Sequence, residues 1–108
     1  MSETNKINLL DYQTILSYQG RVDGCVGSSK AINFIDDLSK DFKIFLGSAQ
    51  GVLMEFEENK NANTKQMASI MCELYSFFYE DTEVIFAINQ THTMAIDSIA
   101  YKIIATGI

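Results

Sequence analysis

The fold is decided by Asn63-Thr64-Lys65-Gln66-Met67-Ala68-Ser69-Ile70-Met71-Cys72-Glu73-Leu74-Tyr75-Ser76-Phe77-Phe78 and, after a short polar break, Val84-Ile85-Phe86-Ala87-Ile88. In the first segment Met67, Ile70, Met71, Leu74, Phe77 and Phe78 recur at steps of three and four, which predicts one amphipathic helix with a continuous apolar stripe. Asn63 and Gln66, three residues apart, form the expected capping pair at its start. The second segment is almost wholly apolar, so a strand over 82–89 is expected, covered on both faces. Just upstream, Val52, Met54 and Phe56 alternate with Leu53, Glu55 and Glu57. That alternation predicts a strand over 50–57 with one buried and one mostly wet face.

Working outward, residues 89–94 form a polar loop and 98–106 a closing strand. Towards the N-terminus, Asn8 is a candidate helix cap, with the Asp11 carboxylate in the first turn, where free N–H groups and the helix dipole favour negative charge. Leu9, Tyr12, Leu16 and Gln19 follow helical spacing, Ile15 widens the stripe, and Gly20 supplies the left-handed turn that ends the helix. A short strand follows at 21–26. Ser28 or Ser29 then caps a second helix running to Leu38, with Ala31, Ile32, Ile35 and Leu38 inward. Phe42, Ile44, Phe45 and Leu46 form an apolar run whose state the pattern leaves open. The order helix, strand, helix, strand, helix, strand, strand predicts an α+β (α/β) domain: a mixed sheet of about four strands packed with two to three helices. With 108 residues the chain is one domain, residues 1–108, of which 1–6 read as a flexible lead-in.

Composition narrows the function. Eight basic against 14 acidic residues give a net charge of −6, with Arg21 the sole arginine. Nucleic acid and anionic membrane surfaces both need a basic face, so neither is an expected partner. No apolar run reaches the roughly 20 residues that span a bilayer. The polar start, Met1-Ser2-Glu3-Thr4-Asn5-Lys6, lacks the apolar core of a signal peptide, so the cytoplasm is the expected compartment. Cys25 and Cys72 match neither a disulfide framework nor a zinc spacing, and each reads as a small hydrophobe among apolar neighbours.

Each chemically suggestive feature has a plainer reading. Gly24-Cys25-Val26-Gly27-Ser28-Ser29-Lys30 loosely resembles a phosphate loop entering a helix, but its lysine does not follow the second glycine, so a turn and N-cap are expected. Asp36, Asp37, Glu55, Glu57 and Glu58 have the oxygen donors of a hard-cation site without the spacing of one, and read as a solvated acidic face. His92 reads as a surface histidine, and Met54, Met67, Met71 and Met94 as core filler or rim. Thr14 and Ser17 have no adjacent base to activate them. No metal or cofactor is expected.

The C-terminal half resembles the C-terminal domain of FtsZ, the bacterial tubulin homologue. The resemblance is carried by Ala49-Gln50-Gly51-Val52-Leu53, an amphipathic helix, Glu83-Val84-Ile85-Phe86-Ala87, and the close Lys102-Ile103-Ile104-Ala105-Thr106-Gly107-Ile108. Asp11-Tyr12-Gln13-Thr14-Ile15-Leu16 is similar to the family's helix after its synergy loop, extending the resemblance to nearly the whole chain. By that resemblance Lys6, Asn8 and Asp11 occupy the loop positions where the family places an asparagine and two aspartates that complete the nucleotide site of the next subunit. Only Asp11 keeps its acid, and the sequence has no glycine-rich GTP-binding loop. The resemblance thus implies a non-enzymatic binding module that contacts FtsZ through Lys6, Asn8 and Asp11 and modulates its filaments. The alternative is a homo-oligomerising or small-ligand-binding domain, with Tyr75, Phe78 and Tyr79 as a dimer patch. Beside the first reading stands a plainer one, in which Asp11 serves only to start its helix, and an enzyme is the third and least expected class.

Overall fold

The computed structural model describes residues 7–108. Its elements run α1 (Leu9–Leu16), β1 (Asp23–Lys30), a single 3₁₀ turn (Ala31–Asn33), α2 (Phe34–Asp37), α3 (Lys40–Ser48), β2 (Gly51–Asn59), α4 (Thr64–Tyr75), β3 (Glu83–Thr91) and β4 (Ser98–Thr106). The expected lead-in at 1–6, Lys6 included, lies outside the described residues. The four strands form one mixed sheet in the order β1-β4-β2-β3. β4 runs antiparallel to both β1 and β2, while β2 and β3 are parallel, joined by the α4 crossover that parallel pairing requires.

Register divides the sheet into two unequal faces. Val52, Met54 and Phe56 of β2 lie opposite Ala105, Ile103 and Tyr101 of β4. Against them pack Phe34 of α2, Phe42 and Leu46 of α3, and Met67, Ile70 and Leu74 of α4, forming the main core. Phe34 is fully buried and meets Tyr101 and Phe56 edge-on, with ring centroids 4.8 and 5.8 Å away. Among the described residues the opposite face has only α1 as cover. There Ile15 and Leu53 are fully buried, while Val26 on β1 is open to solvent.

The structure corrects the sequence reading in several places. The second helix starts neither at Ser28 nor at Ser29, because β1 runs on through both and pairs with β4 along its whole length. The stretch 24–30 is therefore strand, not a phosphate loop or a turn with an N-cap. The helical segment after it is broken, and Ile32, expected inward, is 87% exposed while Phe34 takes the core position. The open run 42–46 is helix, started by Ser39, whose hydroxyl accepts from the Phe42 N–H. In α4 the Asn63 side chain accepts from Lys65 N–H. Gln66 does not complete a capping pair; it lines a groove with Ala31 and Ile35, and its Nε2 is buried with no hydrogen-bond partner among the described residues. β3 is an edge strand of which only Ala87 is buried, so its cover is one-sided and partial. Leu53, on the face of β2 expected to be mostly wet, is buried where α1 crosses it. Cys72 is exposed, unlike the half-buried Cys25.

Candidate functional site

The face that the resemblance singles out is built on α1. Its start is a reciprocal capping box: Asp11 N–H donates to the Asn8 side-chain oxygen, and Asn8 N–H donates to the Asp11 carboxylate, both at 3.0 Å. Two of the helix's orphan donors are thereby satisfied by short polar side chains. The Asp11 carboxylate is engaged in holding the helix start. Lys6, the third residue in this reading, lies outside the described residues.

From this start the helix presents two apolar sides. Tyr12 and Ile15 face the sheet. Leu9, Leu10 and Leu16 face outward and are 73%, 66% and 51% exposed, so the stripe expected at Leu9 and Leu16 is not the buried one. The helix ends at Leu16 with Ser17 as its C-cap. Gly20 adopts its positive φ of 123° three residues later, where it turns the chain beside the C-terminal Gly107 and Ile108 rather than closing the helix.

α1 is fastened at both ends. Near its start, Tyr12 OH donates to Glu55 Oε1 at 2.6 Å, and Lys102 Nζ lies 2.6 Å from Tyr12 Oη and 2.8 Å from the same Glu55 oxygen. Burial pushes the Glu55 carboxyl up, but hydrogen bonds from Lys102 and Tyr12 and the Lys102 charge outweigh it, and the net shift is downward. The hydrogen bonds to Glu55 and then Tyr12 raise Lys102 in turn. At the far end, buried Thr106 donates its hydroxyl to Ile15 C=O at 2.6 Å, satisfying one of the carbonyls that a helix C-terminus leaves free. Gly51 allows the close approach: a Cβ there would stand 2.9 Å from the Tyr18 ring and 3.1 Å from Ile15. Tyr18 itself reaches across to donate to Glu83. The outward leucines are thus mounted on a fixed element.

The sequence reading missed the Tyr12–Glu55–Lys102 cluster. A signal for it existed: Lys102 is the sole charged residue within β4, a central strand, and a charge there needs a partner. Glu55 is that partner, directly opposite in register. The five acids grouped as a solvated face are in fact dispersed. Asp36, Asp37 and Glu57 are exposed, Glu55 is ion-paired, and Glu58 points to the helix-covered face with 7% exposure. Among the described residues no three His, Cys, Asp or Glu side chains converge as a metal site. His92 is exposed in the β3–β4 loop.

The expected helix stops at Tyr75, short of Phe77 and Phe78, and the aromatic residues at and just after its end form a second surface. Tyr75 and Tyr79 are exposed, and Phe78 is half-buried against the core with its ring 5.3 Å from Tyr75. Tyr79 also lines an open groove of about 440 Å³ with Gln50 and Tyr18, so the flank reaches the chain leaving α1. No hydrogen bond or ring stacking among the described residues joins it to the Asn8–Asp11 box. No described helix is long and apolar enough to cross a membrane.

No family model and no curated protein matches this sequence. Solved structures do. An empty FtsZ dimer from M. jannaschii superposes with a TM-score of 0.72 over 95% of this chain and 32% of that one, at 12% identity. An FtsZ mutant from M. jannaschii gives 0.64 over 96% and 33%, also at 12% identity. The chain spans about a third of the length of these FtsZ structures. The part matched is the C-terminal-like part and not the GTPase domain. The four-stranded mixed sheet with its helices is therefore an FtsZ-like fold, that of the C-terminal-like domain.

Proposed function

We propose that this domain is a binding module that docks the outward side of α1 onto an FtsZ-type subunit and thereby modulates filament assembly, without hydrolysing GTP itself. The observation that carries the reading is the exposure of Leu9, Leu10 and Leu16 on a helix anchored at both ends. Full burial of each leucine is worth roughly 1.5–3 kcal/mol, enough for a specific contact once the cost of association is met. A rigid element presents such anchors with little ordering cost. The contact is apolar in character, because the Asp11 carboxylate is held by Asn8 and the Glu55 carboxylate by Lys102 and Tyr12. The FtsZ-like fold supports FtsZ as the partner, and cell division as the process.

The test is titration of the domain into polymerising FtsZ from the same cell, reading sedimented FtsZ and GTP turnover. Both fall with the wild-type domain. Leu9→Asp/Leu10→Asp removes the effect while the fold stays intact, since acidic residues in a helix's first turn suit its dipole. Unchanged sedimentation and turnover at high molar excess overturn the reading.

A second reading, self-association through Tyr75, Phe78 and Tyr79, is favoured by the exposure of both tyrosines beside the half-buried Phe78 ring, which lies tilted against Tyr75. Solution mass separates the two: a concentration-dependent dimer abolished by Tyr75→Glu supports self-association, and a monomer at all concentrations removes it.

A further inference from the structure

β3 is one edge of the sheet, nine residues long, with the sequence Glu83-Val84-Ile85-Phe86-Ala87-Ile88-Asn89-Gln90-Thr91. It carries no proline, glycine, lysine or arginine, and no other strand or loop among the described residues pairs with its outer side. A long apolar edge of this kind templates the addition of another strand unless something blunts it. The other edge, β1, is glycine- and serine-rich and ends in Lys30. The two edges are therefore not equivalent.

Beside β3 lies a buried charge without its complement. Glu58, at the end of β2, is 7% exposed. Its Oε2 accepts only a long 3.3 Å bond from Gln90, and its Oε1 is buried with no hydrogen-bond partner among the described residues. A carboxylate so placed is costly unless a cation or donors reach it. It lines an open groove of about 460 Å³ whose other walls include Met67, Met71, Phe86 and Ile88. Methionine walls adapt to varied apolar shapes.

We propose that the outer edge of β3 and the Glu58 groove together bind an extended segment of a partner protein, which pairs with β3 and sends a lysine or arginine side chain across Gln90 to Glu58. Strand spacing places Glu58 roughly 10 Å from such an added strand, two inter-strand steps inward. The combined length of a glutamate and a four-carbon lysine stem, or an arginine, covers that distance. The residues two and four positions from the basic one, towards the Glu83 end of β3, share its face of the added strand and fall beside Ile88 and Phe86. Main-chain pairing supplies affinity, and the basic residue with its apolar neighbours supplies specificity. A second copy fits less well: its β3 brings Glu83 and no cation, and its β1 brings Lys30 with Ser28, not an apolar residue, two positions before it on the same face. The site is separate from the α1 leucines and does not depend on the docking proposed for them.

The test is selection from a displayed random-peptide library on the full chain, followed by binding of the recovered peptide to wild type, Glu58→Gln and Gln90→Lys. The recovered peptides carry one fixed lysine or arginine with apolar residues two and four positions to one side of it. The peptide weakens about tenfold or more on both variants, as loss of one partner of a buried charge pair dictates. It weakens equally when its basic residue is made norleucine, and it slows amide exchange along β3. Gln90→Lys supplies an internal cation, so it blocks the site while keeping the carboxylate. Recovery of no peptide, of peptides without a basic residue, of affinity indifferent to Glu58→Gln, or of dimers paired through β3 overturns the proposal.

Discussion

Replacing Thr106 by valine exchanges a hydroxyl for a methyl of nearly the same shape at a fully buried position. In the native chain that hydroxyl donates to Ile15 C=O at 2.6 Å, tying the last turn of α1 to the end of β4. Valine leaves a buried carbonyl unsatisfied, which costs about 1–3 kcal/mol. For a chain of 108 residues the unfolding entropy makes 1 kcal/mol equivalent to about 4 °C, so Thr106→Val should melt about 4–13 °C lower. Thr106→Ser keeps the donor and loses one methyl, a cost of about 0.8 kcal/mol or roughly 3 °C. Far-UV circular dichroism melts and urea midpoints measure both. The reasoning fails if Thr106→Val melts within about 2 °C of wild type. It fails equally if Thr106→Ser falls as far as Thr106→Val, since the hydrogen bond would then not be the anchor.

Other perturbations test other parts of the structure. Phe34→Ala empties the ring position between Phe56 and Tyr101 and should cost about 3–5 kcal/mol by urea denaturation, a large share of a small domain's stability. Glu55→Gln should cost about 0.2–1 kcal/mol at neutral pH, as expected for a partly exposed ion pair. Because the folded Glu55 pKa is depressed, its stabilisation is present above the unfolded carboxyl pKa and disappears as pH falls through the folded one. The urea-midpoint gap between wild type and Glu55→Gln should therefore close on acidification below pH about 4.5. Cys25 is pushed up to about 11, by burial first and the Asp23 charge second, so a thiol reagent at pH 8 should label exposed Cys72 well before Cys25.

The parts of the fold legible in the sequence are those where local pattern and tertiary position agree. α4 has a 3.6-residue stripe and packs by it, and β4 is a central strand with a matching apolar run, so both were readable from residue order alone. β1 was not, because Gly24, Gly27, Ser28 and Ser29 favour turns locally while pairing with β4 holds them extended. The small residues there answer to the neighbouring strand: a Cβ at Gly24 would stand 2.9 Å from Ile103 C=O, and one at Gly27 2.9 Å from Tyr101 Oη. The inner face of α1 was misassigned because a helix crossing an otherwise open sheet buries one residue, Ile15, and no eight-residue pattern says which leucines lie outward. The Asn8–Asp11 box was visible as a start signal. The partner of Glu55 and the burial of Glu58 were not, since both depend on strand register.

The central claim, that the leucine side of α1 is the surface this domain offers to FtsZ, is tested most directly by amide hydrogen exchange on the domain alone and mixed with FtsZ, with and without GTP. Docking as proposed slows exchange across Leu9–Leu16 when FtsZ is added, and Leu9→Asp/Leu10→Asp removes that protection. Exchange across α1 that is identical with and without FtsZ, or protection confined to other elements, contradicts it.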